Sequence, residues 1–81
     1  MAYAWNNRGL SRYRLGDQQG GLADIQRGLE LDDRNAYGYR NLGIIRSEEG
    51  KLEEARELFL KAKELDPKTH MLDDLLASVT G

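Results

Sequence analysis

The side chains in this sequence that could do chemistry are few. His70 is the one histidine and there is no cysteine, which removes disulfides, thiolate ligands and a thiol nucleophile together and leaves the redox compartment unread. A histidine general base works with a nucleophile or a metal at a readable spacing. None accompanies His70, which stands at the start of the last predicted helix and reads as an ordinary residue near a cap. Asp32-Asp33 and Asp73-Asp74 place carboxylates side by side, but adjacent helical positions point in different directions, and neither pair follows a calcium-loop pattern. The run Glu48, Glu49, Lys51, Glu53, Glu54, Arg56, Glu57 reads as a solvated face with carboxylates at a helix start. The glycines are dispersed within helices and at their ends, so they do not make a phosphate-cradling loop. The chain is expected to be no enzyme, with no metal site and no cofactor.

What remains is a set of binding side chains. Arg8, Arg12, Arg14, Arg40 and Arg46 all fall on predicted first helices and bias that side of the molecule positive. The whole chain nonetheless carries a net charge of -2, and interleaved lysines are missing, so nucleic acid is not an expected partner. At 81 residues, 40% hydrophobic and 32% charged, the chain is one small domain or a piece of a larger protein, with enough apolar material for a thin layered core. No apolar run approaches the roughly 18 residues of a membrane helix, and no signal-peptide core is visible. A soluble protein with no membrane partner, cytoplasmic by default, is the expectation.

The elements that position these side chains come from an internal repeat. Displacing the sequence by about 34 residues aligns Ala2 with Ala36, Tyr3 with Tyr37, Asn7 with Asn41, Gly9 with Gly43 and Arg12 with Arg46. Gly16 meets Gly50, and Glu30-Leu31-Asp32 meets Glu64-Leu65-Asp66. Each unit reads as helix, short turn, helix. In the second unit Leu52, Ala55, Leu58/Phe59, Ala62 and Leu65 recur at three- and four-residue steps, an amphipathic helical stripe. Gly16 and Gly50 stand where first helices must stop, and Asp17 can cap the helix that follows. Helices are predicted at 3–15, 19–31, 37–48, 52–65 and 70–79. The last one, with Met71, Leu72, Leu75, Leu76 and Val79 on one stripe, has no partner helix in the chain and covers the apolar end of the stack.

The pattern Tyr39-x2-Leu42-Gly43, then Gly50, Ala55, Phe59, Ala62 and Pro67, resembles the tetratricopeptide repeat (TPR) at nearly every signature position. The first unit matches more loosely through Trp5, Gly9, Gly16, Gly21, Ile25 and Gly28. The resemblance implies an all-α solenoid of antiparallel helix pairs with five helices: a single domain over 1–81, repeat one at 2–35, repeat two at 36–69 and a capping helix at 70–80. It implies that the mid-helix Gly43 faces the small Ala55 and Ala62, letting two backbones approach. It further implies a concave groove lined by the first helix of each repeat, receiving an extended peptide or a partner helix. By position the groove would expose Tyr3, Asn6, Asn7, Leu10, Tyr13 and Arg14, then Tyr37, Arg40, Asn41, Ile44 and Ser47, with Met71, Asp74 and Leu75 from the last helix. The equivalent Asn7 and Asn41 could donate to and accept from a peptide backbone, and Tyr3 and Tyr37 offer apolar area with a hydroxyl. Asn41 matches one position of the subclass that clamps a C-terminal carboxylate, but Asn6, Leu10, Met71 and Leu75 stand where that clamp needs other residues.

Unit one departs from the pattern. Gly20, Gly21 and Gly28 lower the intrinsic helicity of its second helix by on the order of 2–3 kcal/mol relative to alanines, which makes it the least stable expected element. Arg8 occupies the place of Leu42, where a buried charge would be costly unless an acidic group or partner meets it. Function is expected to be protein–protein interaction through the groove. The alternatives are a homo-oligomerisation module, in which exposed repeat ends form a homodimer, and an adaptor segment of a larger multi-repeat protein.

Overall fold

The first helix of each pair ends on a left-handed glycine. Gly16 has φ 106° and Gly50 φ 82°, and the same two hydrogen bonds close both ends. The Asp17 amide donates to Arg12 O at 2.9 Å and Gly16 to Tyr13 O at 3.1 Å; Lys51 donates to Arg46 O at 2.9 Å and Gly50 to Ser47 O at 3.0 Å. This six-to-one plus five-to-two pairing satisfies carbonyls that the helix end would otherwise leave without donors.

The computed structural model describes residues 2–69 and 71–80, the side chains of 2–7 excepted. It contains α1 (Ala2–Arg14), α2 (Gln18–Leu31), α3 (Ala36–Glu48), α4 (Leu52–Leu65) and α5 (Leu72–Thr80), with no strand among the described residues. The fold is all-α, built of antiparallel helix pairs in the manner expected. Asp17 caps α2 by accepting from Gly20 N at 3.0 Å, and Asn35 caps α3 by accepting from Tyr37 N at 3.0 Å. The turns after α2 and α4 are also copies: Asp32 Oδ1 accepts from Arg34 N and Asp66 Oδ1 from Lys68 N, both at 3.0 Å, each carboxylate fixing the turn that follows it. The last helix starts later than expected, at Leu72. Met71 has φ 61°, a left-handed conformation that no α-helix includes, and His70 lies outside the described residues.

Two apolar clusters hold the layers together. Tyr13, Ile25 and Ile45, with Leu10, Leu22, Leu29 and Leu42 against them, join the first pair to α3. Ala36, Ala55, Phe59, Ala62 and Leu72 join the second pair to α5, with Ile44, Leu75, Leu76 and Val79 among the flanking residues. Ile25 and Phe59, equivalent in the repeat, are both at 0% exposure, and fully burying such side chains stabilises by about 1.5–3 kcal/mol each.

The small residues do a different job from the one expected. Gly43 faces the ring of Phe59, not Ala55 and Ala62: a Cβ there would come within 2.6 Å of Phe59 Cε1. Phe59 lies between those alanines along α4, so its ring, not their methyls, fills the seam. In the first pair two glycines meet. A Cβ on Gly9 would come within 2.6 Å of Gly21 O, and one on Gly21 within 2.5 Å of Gly9 O. Gly21 therefore costs helix propensity and in return lets α1 and α2 approach backbone to backbone.

Candidate functional site

The site follows from how the helices stack. α3 packs on both helices of the first pair, and α5 packs on both α3 and α4. α1 and α5 thus flank α3, and their backbones do not approach each other. The space left over α3 is a cleft of about 330 Å³ lined by Leu10, Arg14, Arg40, Ile44, Met71 and Leu75. Its floor is apolar because Leu10 and Ile44 occupy the same repeat position on α1 and α3, while Leu75 comes down from α5 and the exposed Met71 precedes that helix.

Two arginines sit in its wall. Arg40 donates from Nε and Nη2 to Asn41 Oδ1 at 3.2 and 3.0 Å, and its guanidinium lies 4.7 Å from the centre of the Tyr37 ring, a cation–π distance. Burial lowers the pKa of Arg40 from the usual arginine value; Tyr37 opposes that shift and the like charge of Arg14 adds to it. Arg14 is more than half exposed and approaches Glu48 at 3.7 Å.

Of the positions expected to line a groove, Leu10, Arg14, Arg40 and Ile44 come together in this cleft, with Met71 and Leu75. Tyr37 supports Arg40 from the side. Two positions differ from expectation. Tyr13 is 8% exposed and Asn41 0%, so neither presents itself on the surface. Tyr13 is turned into the cluster with Ile25 and Ile45, and burial, followed by Glu49 and Glu48, raises its pKa. The Asn41 carbonyl oxygen accepts from Arg40 Nε and Nη2. The side chains of Tyr3, Asn6 and Asn7 lie outside the described residues.

A polar network escaped sequence reasoning. Asp24 is 4% exposed and accepts from Arg8 Nε at 2.9 Å and Arg12 Nη1 at 3.2 Å, while Arg12 Nη2 also donates to Asp17 Oδ2 at 2.6 Å. The acidic group that Arg8 requires is thus Asp24, and the signal was present: Arg8 and Asp24 replace Leu42 and Leu58 of the second unit. A second cleft, between α3 and α4, has Arg46 and Lys61 beside Glu54 and Glu57. Among the described residues no three His, Cys, Asp or Glu side chains are grouped to hold a metal ion. None of the described helices is long and apolar enough to cross a membrane.

Comparison with known proteins agrees with this architecture. Residues 36–69 match the tetratricopeptide repeat family. The chain is 32% identical over 65 residues to superkiller complex protein 3 of Mus musculus, covering 80% of this chain and 4% of that protein. It is 33% identical over 52 residues to a TPR repeat-containing protein of Methanocaldococcus jannaschii, covering 64% of this chain and 9% of the other. The chain therefore spans only a small part of the length of these two relatives. With a match at 36–69 and a relative named as a TPR repeat-containing protein, this chain carries a tetratricopeptide repeat at 36–69, and its helix pairs follow that repeat's all-α architecture.

Proposed function

We propose that this chain is a protein-interaction module that receives a peptide or helix of a partner along the face made by α1, α3 and α5. TPR repeats mediate protein–protein interactions and the family is non-enzymatic; the mouse relative is by its name a component of a complex. The observation that carries the finer reading is the cleft over α3, in which Leu10, Ile44, Met71 and Leu75 form an apolar floor. Its volume of about 330 Å³ falls at the lower end of the roughly 300–1,000 Å³ usual for ligand pockets, room for one or two partner side chains. Each aliphatic side chain fully buried there contributes about 1.5–3 kcal/mol.

The test uses two exposed positions, so that the fold is left alone. Arg14→Glu combined with Met71→Glu changes the cleft; Arg56→Glu combined with Leu60→Lys changes the outer face of α4. Immobilised wild type and both variants are exposed to the same lysate, and bound proteins are quantified after helicity has been matched by circular dichroism. The cleft variant is expected to lose at least tenfold of the specifically retained proteins while the α4 variant keeps them. Equal retention by the cleft variant and the wild type would remove this face from the binding site.

A further inference from the structure

We infer that Arg8, Ser11 and Asp24 keep the outer face of the α1–α2 pair from stacking on a second copy of this chain, an inference independent of the cleft over α3. Within the chain, the second pair meets the first through Ile45 and Leu42. Ile45 is fully buried in one cluster with Tyr13 of α1 and Ile25 of α2, and Leu42 packs against that cluster. Leu58 stands half-buried beside Leu42. One repeat earlier, these three positions hold Ser11, Arg8 and Asp24. By the same stacking they mark the face on which another helix pair would sit. Ser11 and Arg8 are exposed there. The neighbouring aromatic is common to both units, as Trp5 and Tyr39, so the two faces differ in apolar character at these three pairs.

The charges are already matched inside the molecule. Asp24 accepts from Arg8 Nε at 2.9 Å and from Arg12 Nη1 at 3.2 Å, while the Arg8 side chain keeps 59% of its surface in water and that of Arg12 keeps 37%. A copy laid over this network strips that water and gains little aliphatic contact in exchange, and taking ion pairs out of water costs more than such a contact returns. In an arrangement with a two-fold axis, the same patch of each copy meets the other, which brings guanidinium groups against guanidinium groups. Leucine and isoleucine at the same places, as in the second unit, would instead expose an apolar patch of the kind that drives association. Stacking is therefore left to α3 and α4 of the same chain.

The experiment follows the full chain by sedimentation velocity over a concentration series, comparing wild type with Arg8→Leu/Ser11→Ile/Asp24→Leu at helicity matched by circular dichroism. The triple variant is expected to self-associate at least about tenfold more tightly than wild type, with α1 and α2 amides gaining protection from hydrogen exchange as concentration rises. The milder Arg8→Leu/Asp24→Leu should fall between the two. A second arm needs no substitution: amide resonances of isotope-labelled wild type are followed by NMR over the same series. Unchanged shifts for Arg8, Ser11, Arg12 and Asp24 support the inference, and this arm decides where the triple variant loses helicity. Sedimentation of a folded triple variant that matches wild type overturns it. Movement of those four wild-type resonances with concentration also overturns it, because the face then pairs in spite of its charges.

Discussion

Adjacent glycines in α2 offer a measurement in which helix propensity cancels. Gly20→Ala and Gly21→Ala each gain about 1 kcal/mol of intrinsic helicity. Their surroundings differ. At Gly21 the new methyl would stand 2.5 Å from Gly9 O, 2.7 Å from Tyr13 N and 2.8 Å from Tyr13 Cβ. The closest of these is roughly 0.9 Å short of ordinary van der Waals contact, and a backbone carbonyl cannot rotate out of the way. The helices must separate, which loosens Tyr13 and Ile25 in the cluster behind them. Overpacking of this kind costs about 1–3 kcal/mol. At Gly20 the methyl meets the ends of Asp17 and Arg12, side chains that can shift without moving a backbone, at the cost of weakening the Asp17 cap on Gly20 N. Urea denaturation followed at 222 nm should therefore find Gly21→Ala less stable than wild type by up to about 2 kcal/mol, the overpacking cost less the helical gain. Its thermal midpoint should fall by up to roughly 15 °C. Gly20→Ala, where the helical gain offsets the weakened Asp17 cap, should lie within about 1 kcal/mol of wild type and above Gly21→Ala. If the two variants have equal stability, or if Gly21→Ala is the more stable, the backbone-to-backbone contact between α1 and α2 is not what holds this pair together.

Three further outcomes follow from named contacts. Arg8→Leu alone should cost about 1–3 kcal/mol by taking a 2.9 Å hydrogen bond from the buried Asp24 carboxylate, whereas Arg8→Leu/Asp24→Leu, which copies Leu42 and Leu58, should lie within about 1 kcal/mol of wild type; additive losses in chemical denaturation would contradict this. Gly50→Ala should lose about 1–2 kcal/mol from left-handed strain alone, since no heavy atom lies within 4 Å of the added methyl, and a crystal structure showing an unchanged turn with unchanged stability would refute it. The Asp17 carboxylate is held below its usual range by the Gly20 amide first and by Arg12 second. A group with a lowered folded pKa contributes stability above its unfolded pKa and loses it as pH falls through the folded one. Stability of the wild type should accordingly fall more steeply with acid below the usual carboxylate range than that of Asp17→Asn, which keeps a capping oxygen; identical acid limbs would show that the cap does not sense pH.

The fold was legible because two copies of one message lie in one chain. The stop glycines, the Asp17 cap and the apolar stripe of α5 each follow from residue type at a fixed spacing. The seam was less legible. A sequence shows that Gly43 needs a neighbour within reach, but Phe59 and the flanking alanines share one face, and only packing decides which of them fills the gap. Asn41 and Tyr13 illustrate the same limit at the site: their repeat positions place them on first helices, yet a few tens of degrees of helix rotation separates a groove wall from a buried layer. Arg8 declared its need for an acid, but Asp24 lies sixteen residues away on another helix, and the sequence offered other carboxylates. Leu10, Arg14, Arg40 and Ile44 line one cleft because the side that first helices turn outward repeats with the unit.

Hydrogen exchange of the chain bound to a retained protein, compared with the free chain, tests the proposed face most directly. Amides around Leu10–Arg14 in α1, Arg40–Ile44 in α3 and the start of α5 should gain protection, while Glu53–Leu60 in α4 should exchange as before. Protection confined to α4 or α2, with those three segments unchanged, would contradict the account.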